Sequence, residues 1–210
     1  MTARRHIIFC TLFALLVFSL EGTSQSEGFM FDDCGMFLER VSVAEPAPCI
    51  IMSRGEGADP MVACLADPEH YPDEINQGTV AVYVSHDAIK EAIEVARVRM
   101  RDHYGFINGF FRLMFESGYG GNLDFSRNGQ HEIEGNVIYI TESWKEGFVA
   151  HNNLNFGNFL WGVAARELGV PLSVALIGSH LNNFFLSSDR GHFDSQDDQV
   201  SIRAGYHWRP

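Results

Sequence analysis

Cysteine, basic residues and long apolar runs are all scarce in this chain of 210 residues. Four cysteines are too few for a disulfide-dense scaffold, and no Cys-x-x-Cys or closely paired His is present to suggest a structural zinc site. Fifteen Lys and Arg against 27 Asp and Glu leave a net charge of −12, which argues against broad binding to a phosphate backbone. A local cationic groove or a metal can still offset that field, so a nuclease is not excluded. Gly-x-Ser-x-Gly, P-loop and His-Glu-x-x-His motifs are absent, and the enzyme classes they mark lose their usual support. There are no internal repeats and no low-complexity segment.

The one long apolar stretch lies at the start. Arg4 and Arg5 precede an apolar run from Ile7 to Leu20, and the polar stretch Glu21 to Glu27 follows. A membrane span needs roughly 20 apolar residues, so this run is short for an anchor. Gly22 with Ser24, or Ser24 with Ser26, supply the small residues of a cleavage site. Residues 1–26 therefore read as a signal peptide, and the expected location is secreted or periplasmic. No later stretch predicts a transmembrane segment in the mature protein. A cut after Ser24 removes Arg4, Arg5 and Glu21 and takes the charge from −12 to −13. Cys10 leaves as well. Cys34, Cys49 and Cys64 remain, and the simplest arithmetic in an oxidising compartment is one disulfide and one free thiol, with the pairing open.

What is abundant is aromatic: 12% of the residues, including 17 Phe, enough for a packed core. Residues 27–77 carry Pro46, Pro48, Pro60, Pro68 and Pro72 and read as an irregular lead-in. Thr79 to Val84 is β-rich and predicts a strand, and Asn136 to Ile140 predicts another. Between them Ser85 can cap a helix with Val84 and Ile89 as a hydrophobic staple, and Ile89, Ala92, Ile93, Ala96 and Met100 form its apolar stripe. Helices are predicted over about 157–168, ended by Gly169, from Pro171 to about Phe185, and from Asp194 to Gly205. The expected fold is α+β: a mainly helical C-terminal domain over 78–210 with a small sheet, preceded by the irregular segment.

The C-terminal half carries a pattern. Asn155-Phe-Gly-Asn-Phe159 is followed by Gly162, Ala164, Ala165 and Gly169, then by Asp194 and Asp198-Gln199-x-x-Ile202-x-x-Gly205. Upstream stand Phe110-Phe111 and Gly120-Gly121-Asn-Leu-Asp124-Phe125. Together, over about residues 105–210, these resemble the bacterial polymorphic toxin type 44 domain. The resemblance implies a toxin of inter-bacterial competition, a cognate immunity protein as partner, and a nuclease acting on RNA.

Several side chains are candidates for chemistry, each with an ordinary structural alternative. Asp194, Asp197 and Asp198 with His192 form the densest acidic cluster, able to hold a divalent metal or divide acid and base roles. Asp194 is equally a good N-cap, and acids in a first helical turn favour the dipole. Asn155 and Asn158 flank Gly157 at a helix entry, where amides orient a substrate or cap the helix. Asp124, after the glycine-dense turn, is an acid, a base or a turn residue. His151 is a candidate proton shuttle, and His180 a packed helical one. Glu132, Glu134 and Glu142 offer the carboxylates of a glycosidase or a solvated strand face.

The leading expectation is an exported toxin-like hydrolase using Asp124, Asn158, Asp194 and Asp198. Two alternatives stand beside it: an extracytoplasmic cell-wall hydrolase, in which Glu132, Glu134 and Glu142 gain interest, and a non-catalytic secreted binding protein.

Overall fold

The computed structural model describes residues 25–101, 136–143, 147–186 and 195–209. Residues 1–24 of the expected signal peptide lie outside this set, as do Asp124, Glu132, Glu134, His192 and Asp194.

Seven strands form one sheet: β1 (Ser26–Phe31), β2 (Phe37–Val43), β3 (Cys49–Met52), β4 (Met61–Leu65), β5 (Thr79–Tyr83), β6 (Asn136–Ser143) and β7 (Gly147–His151). Their spatial order is β2-β1-β3-β4-β7-β6-β5. The pairs β1–β3, β4–β7 and β5–β6 are parallel and the other three antiparallel, so the sheet is mixed. The two edges nearly meet. Met36, just before β2, bridges antiparallel to Val80 of β5, and the Ala81 N–H donates to the Gly35 carbonyl at 2.8 Å. Gly35 has φ +80°, and a Cβ there would overlap the Ala81 carbonyl, so only glycine permits this junction.

The curled sheet encloses a core. Phe29, Phe31, Ile50, Ala63, Leu65, Ile138, Ile140 and Ala150 point inward at period-two spacing. One end is plugged by the short helix α1 (Tyr71–Glu74), whose Tyr71 is buried beside Ile75. Arg40 pins this plug by donating to the carbonyls of Pro72 and Ile75 at 3.1 and 2.9 Å.

The outer face of β5, β6 and β7 carries the helices. These are α2 (His86–Arg101), α3 (Asn153–Glu167), α4 (Leu172–Leu186) and α5 (Gln196–His207). Ile89 and Ile93 of α2, with Phe156, Phe159, Leu160 and Val163 of α3, pack on Val137 and Tyr139 of β6 in a second core. Ser85 starts α2 as expected, accepting from the Ala88 N–H at 3.2 Å, and Val84 and Ile89 join the same cluster. Gly169, at φ +72°, ends the α3 turn, and α4 begins directly after Pro171. Among the described residues no helix is long and apolar enough to cross a membrane.

Two expectations are corrected. The fold is an α/β arrangement around a seven-stranded mixed sheet, not a mainly helical domain with a small sheet. Residues 27–77 are not an irregular lead-in: they supply four of the strands and the plug, and β4 pairs with β7 from the C-terminal half. The prolines punctuate this region instead of dissolving it. Pro48 and Pro60 sit one residue before β3 and β4, and Pro72 is in the first turn of α1, positions where a missing N–H costs little.

Candidate functional site at the mouth of the curled sheet

Two places gather chemically capable side chains. The first lies between α3 and α5 and holds the described residues of the toxin-like pattern. Asn152 caps α3, accepting from the Asn155 N–H at 2.8 Å. The Asn155 side chain donates to Asp197 Oδ2 at 3.0 Å, and Asn158 Nδ2 donates to Asp198 Oδ1. Asp198 Oδ2 accepts from the Ser195 hydroxyl at 2.6 Å and from its N–H at 3.3 Å. Ser195 is therefore the N-cap of α5, one residue later than the expected Asp194. Midway along the pair, a Cβ on Gly162 would come within 2.8 Å of the Tyr206 nitrogen, and one on Gly205 within 2.8 Å of the Phe159 carbonyl carbon. The two backbones touch, and the glycines are what lets them.

This assembly is a lock between helices. Both carboxylate oxygens of Asp198 already accept hydrogen bonds, and Asn155 is 1% exposed. His151 sits beneath it, fully buried, with Nε2 3.1 Å from Thr141 Oγ1 and Nδ1 3.1 Å from Ser201 Oγ. Burial pulls its pKa from 6.5 down to about 3, so at neutral pH it is an uncharged bridge joining β6, β7 and α5. Thus the structure brings Asn155, Asn158, Asp197, Asp198 and His151 into one neighbourhood, bonded to one another or to nearby hydroxyls across the helix junction, while the Asn155 Oδ1 is buried with no hydrogen-bond partner among the described residues.

The second place is open. The free ends of β1, β3, β5 and β6 and the starts of β4 and β7 meet at the end of the curled sheet opposite the α1 plug. They leave a cleft of about 440 Å³ lined by Asp33, Met52, Ser53, Arg54, Met61, Tyr83, Glu142 and Phe148. Barrel mouths and the carboxyl ends of parallel strands are where ligands bind, because side chains from several strands converge there without filling the space.

Glu142 is the most constrained acid of this mouth. Parallel pairing of β5 with β6 brings Tyr83 beside it, and the Tyr83 hydroxyl donates to Glu142 Oε1 at 2.9 Å. His86 Nε2 lies 3.0 Å from Glu142 Oε2, off the line of a well-formed hydrogen bond, and the two groups form an ion pair when the imidazole carries its second proton. The His86 ring is itself held edge-on by Trp208 at 5.2 Å. Burial and then the Glu142 carboxylate push the Tyr83 phenol pKa up, with Arg54 countering, which keeps Tyr83 a proton donor to the acid. A carboxylate held from two sides and open to a cleft can accept a proton from water or a substrate hydroxyl.

Asp32, Asp33 and Cys34, in the β1–β2 turn, bring ligand-type atoms within 4.8 Å of one another, the one such group among the described residues. Asp32 Oδ1 already accepts from the N–H groups of Cys34 and Met36 at 3.0 and 2.7 Å, which is turn chemistry. Cys34 and Cys64 are exposed and Cys49 is buried.

Of this mouth, the sequence singled out Glu142 alone. Tyr83, His86, Arg54 and Asp33 carry no local signal, because only the pairing of β5 with β6 and the curl of the sheet bring them together. No protein-family model, curated protein or solved structure matches the chain.

Proposed function

We propose that the chain is an exported, toxin-like hydrolase whose working site is the sheet mouth, and that it cuts a cell-wall glycan outside the cytoplasm. The observation that carries this reading is the Glu142 carboxylate, held by Tyr83 and His86 and facing a cleft that also presents Asp33. Two carboxyl groups on one cleft are what glycoside hydrolysis requires. One protonates the leaving oxygen while the other takes up the proton of an attacking water or forms the bond itself. The fixed Glu142 fits the base or nucleophile, and the less constrained Asp33 the acid. Met52, Met61 and Phe148 offer apolar surface for the face of a sugar ring.

RNA, the substrate implied by the toxin resemblance, suits this lining poorly. Arg54 is the single cation among the lining residues, beside two acids, in a chain with net charge −12. An immunity protein that blocks the enzyme would have to cover this mouth.

The test is release of reducing ends from purified peptidoglycan by the mature chain, run beside RNA as substrate. Glu142→Gln keeps size and hydrogen bonding and should lower glycan cleavage about 100-fold or more, with near-UV circular dichroism unchanged. Cleavage of RNA and not glycan, or full activity of the Gln variant, would sink this assignment.

A further inference from the structure

We propose that Cys49 and Cys64 form a cross-strand disulfide that joins β3 to β4. The two residues are direct partners in the antiparallel register of these strands, so their side chains leave the sheet on the same face. The hydrogen-bond pattern adds a finer point. The Leu65 N–H donates to the Pro48 carbonyl at 3.4 Å, which makes Pro48 and Leu65 a hydrogen-bonded pair. Pairs alternate along an antiparallel ladder, so Cys49 and Cys64, one step further, are a non-hydrogen-bonded pair. Such pairs have Cα atoms about 4.5 Å apart, inside the roughly 4.4–6.8 Å that a disulfide spans. The bridge forms without moving either strand.

Cys34 is excluded by topology. It lies in the β1–β2 turn at the open mouth, whereas Cys49 begins β3 and Cys64 lies near the end of β4, at the plugged end of the sheet. The neighbouring Asp33 and Asp32 also raise the Cys34 pKa, which disfavours its thiolate.

The chemistry requires an oxidant, a low-molecular-weight disulfide such as oxidised glutathione. Cys64 is exposed and Cys49 is 1% exposed, which sets the order of events. The Cys64 thiolate attacks the small disulfide, forming a mixed disulfide and releasing one glutathione thiolate. Cys49 gives up its proton and attacks the Cys64 sulfur, releasing the second. Two protein thiols are oxidised, one glutathione disulfide is reduced to two thiols, and two protons balance the released thiolates. Burial, then Glu45 and Cys64 itself, push the Cys49 thiol up to about 11, so the closing step is the slow one.

The experiment uses the mature chain, which lacks Cys10, reduced and then equilibrated with oxidised glutathione. Trypsin cuts after Arg40 and Arg54, which places the three cysteines in three separate peptides. Under non-reducing conditions the Cys49 and Cys64 peptides should appear as one cross-linked species, the intact mass falling by about 2 Da. Closing a loop of about 15 residues should raise Tm by roughly 6–12 °C over the reduced protein. Cys34→Ser should keep the link and Cys64→Ser abolish it; Cys64 is exposed, so the latter variant folds. Three free thiols at equilibrium, a link through Cys34, or a persistent glutathione adduct on Cys64 would each overturn the assignment. None of these outcomes depends on what the sheet mouth does.

Discussion

Acidification should unfold this protein through one buried side chain, His151. Its imidazole is 0% exposed and its two nitrogens face Thr141 Oγ1 and Ser201 Oγ, each at 3.1 Å. A hydroxyl can donate or accept, so the neutral ring, with one N–H and one lone pair, is fully satisfied there. A second ring proton would put a charge into the core with no anion among these partners. The folded pKa is accordingly lowered to about 3 from the ordinary 6.5. Below pH 6.5 the unfolded chain takes up a proton that the folded chain refuses, so stability falls as pH falls, down to about pH 3. The slope approaches about 1.4 kcal/mol per pH unit, which gives roughly 2 kcal/mol lost between pH 6.5 and pH 5. Urea unfolding at intervals from pH 7.5 to pH 5 measures this above the range where most carboxylates titrate. His151→Gln should be less stable at pH 7 and show a flatter pH dependence by about that amount. If wild type and variant lose stability in parallel between pH 7 and pH 5, the buried imidazole is not the group responsible.

Other perturbations follow from the α3–α5 contact. Gly205→Ala drives a methyl into the Phe159 carbonyl, where backbone must yield rather than a flexible side chain, so a loss of about 3 kcal/mol is expected in a urea melt; a change under about 0.5 kcal/mol would mean that the helices separate freely. Asp198→Ala removes the acceptor for Ser195 and Asn158 and should cost about 1–3 kcal/mol of stability. The same variant should leave glycan hydrolysis per folded molecule intact, and a specific loss of hydrolysis at full stability would return Asp198 to the chemistry.

Much of the helical layer was legible in the residues. Ser85 as a cap, the Gly169–Pro171 break, and the strands Thr79–Tyr83 and Asn136–Ser143 all declare themselves within a few neighbours. The strands of residues 27–77 do not, for reasons of pattern. In β4, Met61, Ala63 and Leu65 face the core and Val62 and Cys64 face out, but all five are apolar, so the period-two signal is invisible. In β1, Ser26 and Glu27 read as the end of an export signal, which hides the start of a strand. The five prolines suggested an irregular segment, whereas Pro48 and Pro60 mark strand beginnings. The mouth was less legible still. Glu142 meets Tyr83 and His86 across more than fifty residues of sequence, and a sheet pairing at that range leaves no local trace.

The toxin-like pattern now has a physical account that does not require catalysis. Asn155 bonds Asp197 near the first turns of both α3 and α5, so these helices start side by side and their positive dipole ends are neighbours. Two such ends repel unless an anion lies between them. Asp197 and Asp198, in the first turn of α5, supply that charge, and Asn155 and Asn158 reach across from α3 to bind it. Further along, Gly162 and Gly205 let the backbones touch, which brings Ser201 over His151. Asn, Asp and Gly at these positions answer one demand, the close packing of two co-starting helices on β6 and β7. Chemistry placed elsewhere benefits from that rigidity. Trp208, directly after α5, stacks edge-on against His86, which in turn contacts Glu142. The lock and the open mouth are therefore joined through a chain of three side chains, Trp208, His86 and Glu142.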